Sequence, residues 1–104
     1  TDFFLQARPE AHDAGIVLEV QRRAAAYAQA GASGFFVPGI FQPEQIRDVC
    51  AATTLPVNVM MMASAPSQAE LAQFGVARIS YGPGPYREAM KLVEQAARKA
   101  IQGE

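Results

Sequence analysis

A single cysteine, a single histidine and a formal charge of −1 are the scarcities that first limit what this chain can be. Cys50 has no partner for an internal disulfide, which fits a reducing, cytoplasmic setting. One histidine and one cysteine cannot build a zinc-type cluster, and neither a phosphate-binding P-loop nor a nucleophile–base–acid triad can be found. Nine basic residues against ten acidic ones leave no positive field, so nucleic acid is not an expected partner. The longest apolar runs, such as Val57–Ala63, fall far short of a bilayer span, and no membrane partner is expected. Thr1-Asp2 carries no basic leader, no secretory cleavage pattern and no initiator methionine, and the first apolar run follows at once. That abrupt start is expected of a cut or processed product.

What is present is regular. Half of the residues are hydrophobic and 18% are charged, the balance of a packed domain. At 104 residues the chain makes one domain at most. Four strand-like runs, Phe3–Ala7, Gly34–Pro38, Pro56–Met62 and Val76–Tyr81, alternate with four helix-like stretches. The first helix repeats apolar residues at Ile16, Val17, Val20, Ala24, Tyr27 and Ala28, and Gly31 suits its left-handed stop. Pro43 suits the first turn of the second, whose inner face is Ile46, Val49 and Cys50. Ser67 and Glu70 form a capping box at the start of a short third helix that packs Leu71 and Phe74 and stops at Gly75. The last begins near Pro85, with Ala89, Leu92, Val93, Ala96 and Ala100 as its expected inner stripe. Val57 to Met62 is apolar apart from Asn58, which predicts a strand covered on both faces.

Strand-to-strand spacings of about 20 to 32 residues suit right-handed βα crossovers between parallel strands. The expected fold is therefore α/β: four consecutive βα units, residues 1–104, forming half of a (β/α)8 TIM barrel. Such a half leaves two apolar edges open. One way to close them is pairing of two copies, Phe3–Ala7 of one beside Val76–Tyr81 of the other, which makes a homo-oligomer the expected state.

Ligands of parallel βα arrays collect at the carboxyl ends of the strands. Here those ends are Arg8 to His12, Pro38 to Phe41, Met60 to Ser64 and Ser80 to Tyr86. Arg8 directly follows an apolar strand, where its planar fork can grip a carboxylate or phosphonate; the alternative is a surface arginine paired with Glu10 or Asp13. Glu10 reads as a base, a water-mediated metal ligand or a solvated side chain. His12 reads as a proton shuttle or an exposed loop residue. Asn58 is a polar residue inside an apolar strand, holding either a substrate oxygen or a core hydrogen bond. The run Gly82-Pro83-Gly84-Pro85 offers few N–H groups and reads as a tight turn before a phosphate cradle. Met60-Met61-Met62 and Cys50 read as packing.

The stretches "FFLQARPE", "RRAAAYAQAGASGFFVPGI", "LPVNVM" and "AELAQFGVARISYGPGPYREAM", in this order and spacing, resemble the C-terminal half of the isocitrate lyase/phosphoenolpyruvate mutase superfamily, in its mutase-like bacterial branch. The resemblance implies the fifth to eighth strands of a barrel enzyme that cleaves or rearranges a C–C or C–P bond in a small 2-oxo or enol carboxylate. It implies Mg²⁺ in the complete enzyme, with ligands on the first four strands and so outside this chain. It matches Arg8 to the family's anion-binding arginine, Glu10 to an acidic residue two positions on, and Asn58 to a substrate-side position; Ser80, at the end of the last strand, is a further substrate-binding candidate. Pro9 departs from the family's usual threonine or valine between Arg8 and Glu10. With the metal half missing, the chain alone is expected to be inactive. Two rival readings are a non-catalytic scaffold module and a different phosphate-binding barrel enzyme. No lysine stands at a strand end, since Lys91 and Lys99 both fall in the last helix, which disfavours a Schiff-base aldolase.

Overall fold

A computed structural model describes residues 1–2 and 14–103. The expected first strand, Phe3–Ala7, and the loop with Arg8, Glu10 and His12 lie outside the described residues. The remaining elements run α1 (Ala14–Gln29), β1 (Phe35–Phe36), α2 (Pro43–Ala51), β2 (Val57–Met60), α3 (Gln68–Gln73), β3 (Arg78–Ser80) and α4 (Gly84–Gln102). The strands form one sheet in the order β1-β2-β3, and both pairings are parallel. Backbone bonds lengthen the ladder beyond the strand cores: Phe35 N–H donates to the Pro56 carbonyl at 2.9 Å, and Met61 N–H to that of Ser80 at 2.7 Å.

Two helix ends aim the chain back into the sheet by the same device. After α1, Gly31 takes φ +90°, its N–H donates to the Ala28 carbonyl at 3.0 Å, and Ala32 N–H donates to that of Tyr27 at 2.9 Å. After α3, Gly75 takes φ +93°, with bonds from Gly75 to Ala72 and from Val76 to Leu71, both at 3.1 Å. This paired pattern is the Schellman motif, and it needs a residue without a Cβ at the left-handed position. At the start of α3 the Ser67/Glu70 capping box is formed as expected, with both reciprocal bonds present. Pro43 opens α2, and the bulk of Ile46 and Val49 is buried beneath it.

Val57 and Val59 of β2, with Phe35 and Val37, turn to the helices and pack against Val17, Val20 and Ala24 of α1, Ile46 and Val49 of α2, and Leu71 of α3. Arg47 of α2 lays its guanidinium over the Phe74 ring at 4.3 Å from the centroid, tying α2 to the end of α3.

Two expectations need correction. β2 is covered on one face only among the described residues: Val57 and Val59 are buried, while Asn58 and Met60 are half-buried. Period-2 geometry puts these two on the opposite side of the sheet from Val57 and Val59. The stripe assigned to the last helix is not an inner one either. Every described residue of α4 is exposed, Leu92 at 67% and Val93 at 60%, and the molecule extends 59 Å along its longest axis. A radius of gyration of 17.3 Å compares with about 13 Å for a compact chain of this size. α4 projects away from the sheet, so its amphipathic pattern faces no partner within the described residues.

Candidate functional site

The uncovered face of the sheet is where chemistry-bearing side chains gather. Parallel register aligns Phe36 with Asn58 and Asn58 with Arg78, and aligns Met60 with Ser80. Partners in register project to the same side, so this face carries two rows: Phe36–Asn58–Arg78 towards the amino ends of the strands and Met60–Ser80 towards the carboxyl ends. The rows lie two residues apart, about 6.6 Å along the strand.

Ser80 stands at the carboxyl end, as its assignment to the substrate side requires. Its Oγ accepts from Gly82 N–H at 3.2 Å, which leaves the hydroxyl hydrogen available to another acceptor. Asn58 is on the same face but one row lower, so the structure does not bring Asn58 and Ser80 level with each other. The Asn58 Oδ1 atom is shut off from water and has no hydrogen-bond partner among the described residues. Arg8 and Glu10, the proposed anion grip and its neighbour, lie outside the described residues, as does His12.

A cleft opens at the carboxyl ends of β2 and β3, lined by Met60, Met62, Tyr81, Gly84, Arg87 and Lys91. Lys91 is engaged with Glu88 at 2.8 Å. Tyr81 Oη receives a hydrogen bond from the Gln68 side chain. The Gly82–Pro85 run is the tight turn expected of it. Gly84 N–H donates to the Tyr81 carbonyl at 3.0 Å, and Gly82 N–H is taken by Ser80. With both glycine N–H groups used internally, and none on Pro83 or Pro85, this segment has no cradle to offer a phosphate. Met60 packs directly on Gly82: a Cβ built there would stand 2.8 Å from the Met60 sulfur.

The sequence reading passed over two residues. Arg78 was read only as part of a strand, although a charge alternating with Ile79 and Ser80 marks the face away from the helices. Asp2 is 5% exposed and is held by several described residues. Its N–H donates to the Phe36 carbonyl at 2.8 Å, Tyr27 Oη donates to Oδ2 at 2.9 Å, and Arg23 Nη1 is 3.5 Å away. No sequence signal links residues so far apart. Arg23 also meets Glu19, which accepts a two-pronged contact from Arg22 at 2.7 Å. The hydrogen bonds from Arg22, and then Arg23, draw the Glu19 carboxyl down to about 2, against the opposing effect of desolvation. Burial raises the Cys50 thiol, which keeps it protonated and unreactive.

Parallel βα units, a helix-backed sheet and polar side chains on its free face define the class: an α/β protein similar to barrel enzymes. The chain belongs to the phosphoenolpyruvate phosphomutase family, whose profile matches residues 1–101. A Burkholderia cenocepacia J2315 protein assigned as a phosphonomutase is 51% identical over the whole of this chain, with a TM-score of 0.84. A protein from the same organism assigned as a lyase/mutase is 33% identical over 94% of the chain, with a TM-score of 0.77. The phosphoenolpyruvate phosphomutase of Streptomyces platensis subsp. rosaceus is 26% identical over 84% of the chain, with a TM-score of 0.73. An uncharacterized protein of Mycobacterium tuberculosis, Rv1998c, is 35% identical over 83 residues, 80% of this chain. The chain spans 40% of the first of these structures and 32% of the mycobacterial relative.

Proposed function

We propose that residues 1–104 form the C-terminal half of a (β/α)8 barrel enzyme that cleaves or rearranges a C–C or C–P bond of a small 2-oxo or enol carboxylate. The observation that carries this reading is the 51% identity over the full chain to a solved phosphonomutase-assigned protein of which it covers 40%. The match covers the whole of this chain, while more than half of the matched structure has no counterpart here.

In this reading Arg8 grips the anionic group of the substrate through two parallel N–H···O contacts, and Glu10 acts beside it. Ser80 and Asn58 present hydrogen-bonding groups from the free face of the sheet. Bound Mg²⁺ in such an enzyme stabilises negative charge developing on an enolate. Among the described residues no group of three His, Cys, Asp or Glu side chains converges on a point that would hold it. Of the described acidic residues, Glu19, Glu44, Asp48, Glu70, Glu88 and Glu94 lie on helices, and Asp2 is committed to Tyr27 and Arg23. The family resemblance assigns the Mg²⁺ ligands to the remainder of the protein.

Two further parts of the reading follow. The uncovered face of β1–β3 becomes the barrel lumen once the remaining strands arrive. The enzyme self-associates, since α4 exposes Tyr86, Leu92, Val93 and Ile101, apolar area that an isolated soluble subunit leaves bare at a cost. Among the described residues no helix is long and apolar enough to cross a membrane. A cytoplasmic setting suits the unpaired Cys50.

The test is turnover by the complete protein and by the 104-residue chain, side by side. Phosphorus NMR follows loss of a C–P bond from a phosphono-2-oxo acid, and a coupled carbonyl assay follows C–C cleavage. Mg²⁺-dependent conversion by the complete protein, abolished by Arg8→Met and absent from the 104-residue chain, supports the reading. Magnesium-dependent turnover by the short chain overturns it. The unbroken internal bonding of Gly82–Pro85 disfavours the rival reading of an anion-anchoring aldolase or synthase.

A further inference from the structure

Arg78 and Asn58 raise a question that the proposed substrate site does not answer. They are register partners on neighbouring strands, they project to the same face, and they line one cleft with Phe36, Ser33 and Thr1. That cleft lies at the amino ends of the strands, a row below Ser80 and away from the end where substrates collect. Asn58 Oδ1 is already closed to water and unpartnered. No described acidic side chain forms an ion pair with Arg78, although Arg22, Arg23 and Arg98 all have one.

An arginine on an exposed strand needs no partner. An arginine inside a closed barrel does, because an uncompensated charge away from water costs far more than its packing returns. The chain covers 40% of a structure that it matches at a TM-score of 0.84, so there is ample protein to lie over this face. Whatever covers it must carry negative charge. A neutral residue or a water could satisfy Asn58 but would leave the guanidinium uncompensated.

We infer that Arg78 forms a buried ion pair with an aspartate or glutamate from the part of the protein outside this chain, and that Asn58 completes the group. Arg78 has five N–H donors: on closure it grips the carboxylate with two in parallel and turns one to Asn58 Oδ1, which it does not bond in this structure, while the Asn58 amide donates to the same carboxylate. The cluster is a positioning device beneath the substrate floor, one that fixes how the two halves of the barrel meet. It rests on the barrel-closing part of the proposed function and moves Asn58 from the substrate contacts proposed there to the seam between the halves.

Thermal unfolding of the complete protein, with Arg78→Met and Arg78→Lys, tests this between pH 5 and pH 7.5. Arg78→Met strands the carboxylate, so the midpoint falls by about 10 °C at pH 7.5. The deficit shrinks by half or more at pH 5, because the stranded group takes up a proton whose binding burial favours. Arg78→Lys keeps the charge and recovers at least half of the loss. If Arg78→Met yields no folded protein at pH 7.5, recovery of folded protein at pH 5 is the supporting result. KM for an anionic substrate stays within twofold for Arg78→Lys. A deficit independent of pH, equal losses in both variants, or no loss at all overturns the ion pair. So does a tenfold rise in KM with unchanged midpoints, which would make Arg78 a substrate contact. Failure to find any turnover leaves the unfolding result intact, so the two proposals fail separately.

Discussion

The hydroxyl of Tyr27 donates to the carboxylate of Asp2 at 2.9 Å, joining the start of the chain to a helix twenty-five positions later. Asp2 is almost wholly buried, and the Tyr27 ring meets Phe35 edge-to-face with centroids 5.9 Å apart. One side chain thus fixes the chain's entry to the sheet and packs the first strand of the described ladder. Tyr27→Phe keeps the ring contact and removes only the donor. In the complete protein it should lower unfolding stability by about 1.5–3 kcal/mol, the range for a hydrogen bond to a charged group. Urea unfolding checks this, and a change below about 0.3 kcal/mol would mean that the Tyr27 bond adds nothing to the other contacts that hold Asp2.

Glu19 supplies a pH dependence with a definite sign. Its carboxyl is held at about 2 in the folded protein against the ordinary 4.5. A depressed folded value means a contribution that is present above pH 4.5 and lost as the pH falls towards 2. The pair is exposed, so water and salt reduce the effect. Glu19→Gln should therefore be slightly less stable than the parent at pH 7 and indistinguishable from it at pH 2. Denaturant midpoints at the two pH values, in low and in high salt, read this directly.

Ser67→Ala removes the hydroxyl that accepts from Glu70 N–H, and with it half of the capping box. A loss of about 1 kcal/mol is expected. Glu70 is drawn below its ordinary value by the Ser67 side chain and then by its N–H, so this cap too weakens in acid. The gap between parent and Ser67→Ala should narrow without closing as acid protonates Glu70, because the bond from Glu70 N–H to the Ser67 hydroxyl does not titrate.

Gly82→Ala combines two penalties that Gly31→Ala separates. Both positions have positive φ, +52° and +90°, but a Cβ at Gly31 meets open space whereas one at Gly82 runs into the Met60 sulfur. Gly31→Ala should cost about 1–2 kcal/mol from backbone strain alone. Gly82→Ala adds displacement of Met60 at the carboxyl-end cleft. Under the proposed function it should reduce turnover of the complete enzyme while Gly31→Ala does not.

Asn58→Leu separates function from stability. Its Oδ1 has no described partner, so replacing the amide by an apolar group of similar size should change stability by less than about 1 kcal/mol in the 104-residue chain. In the complete protein the same change removes a member of the proposed polar cluster. Stability there should fall by more than in the short chain, and comparison of denaturant midpoints tests the difference.

How far the chain could be read from its sequence differs from residue to residue. Gly31, Gly75, Pro43 and the Ser67/Glu70 pair were legible because each acts within a few residues, where local geometry is decided. The α1 face was legible because its 3.6-residue period matches the core that it meets at Val17, Val20 and Ala24. The same kind of period in α4 misled, since amphipathicity says that a helix has a greasy side and not what covers it. The apolar run at Val57–Met62 misled in a related way: its content anticipates a face that the described residues leave open. Asp2 and Arg78 were passed over because their roles depend on pairings across the sheet, which only the register discloses. For the candidate site, Ser80 stands at the end of the strand to which the reading assigned it, while Arg8 and Glu10 remain proposals.

The outer side of β3 has consequences for the order of events during folding. Among the described residues β3 pairs only with β2, so its other row of backbone groups stays open. In a closed barrel that row bonds to a strand distant in sequence, and contacts of long separation form late. Amide hydrogen exchange should therefore mature in two stages. Val59 and its β2 neighbours gain protection while the β1–β2 pair and its helices dock, and the outward N–H groups of residues 78–80 wait until the last seam of the enzyme has closed.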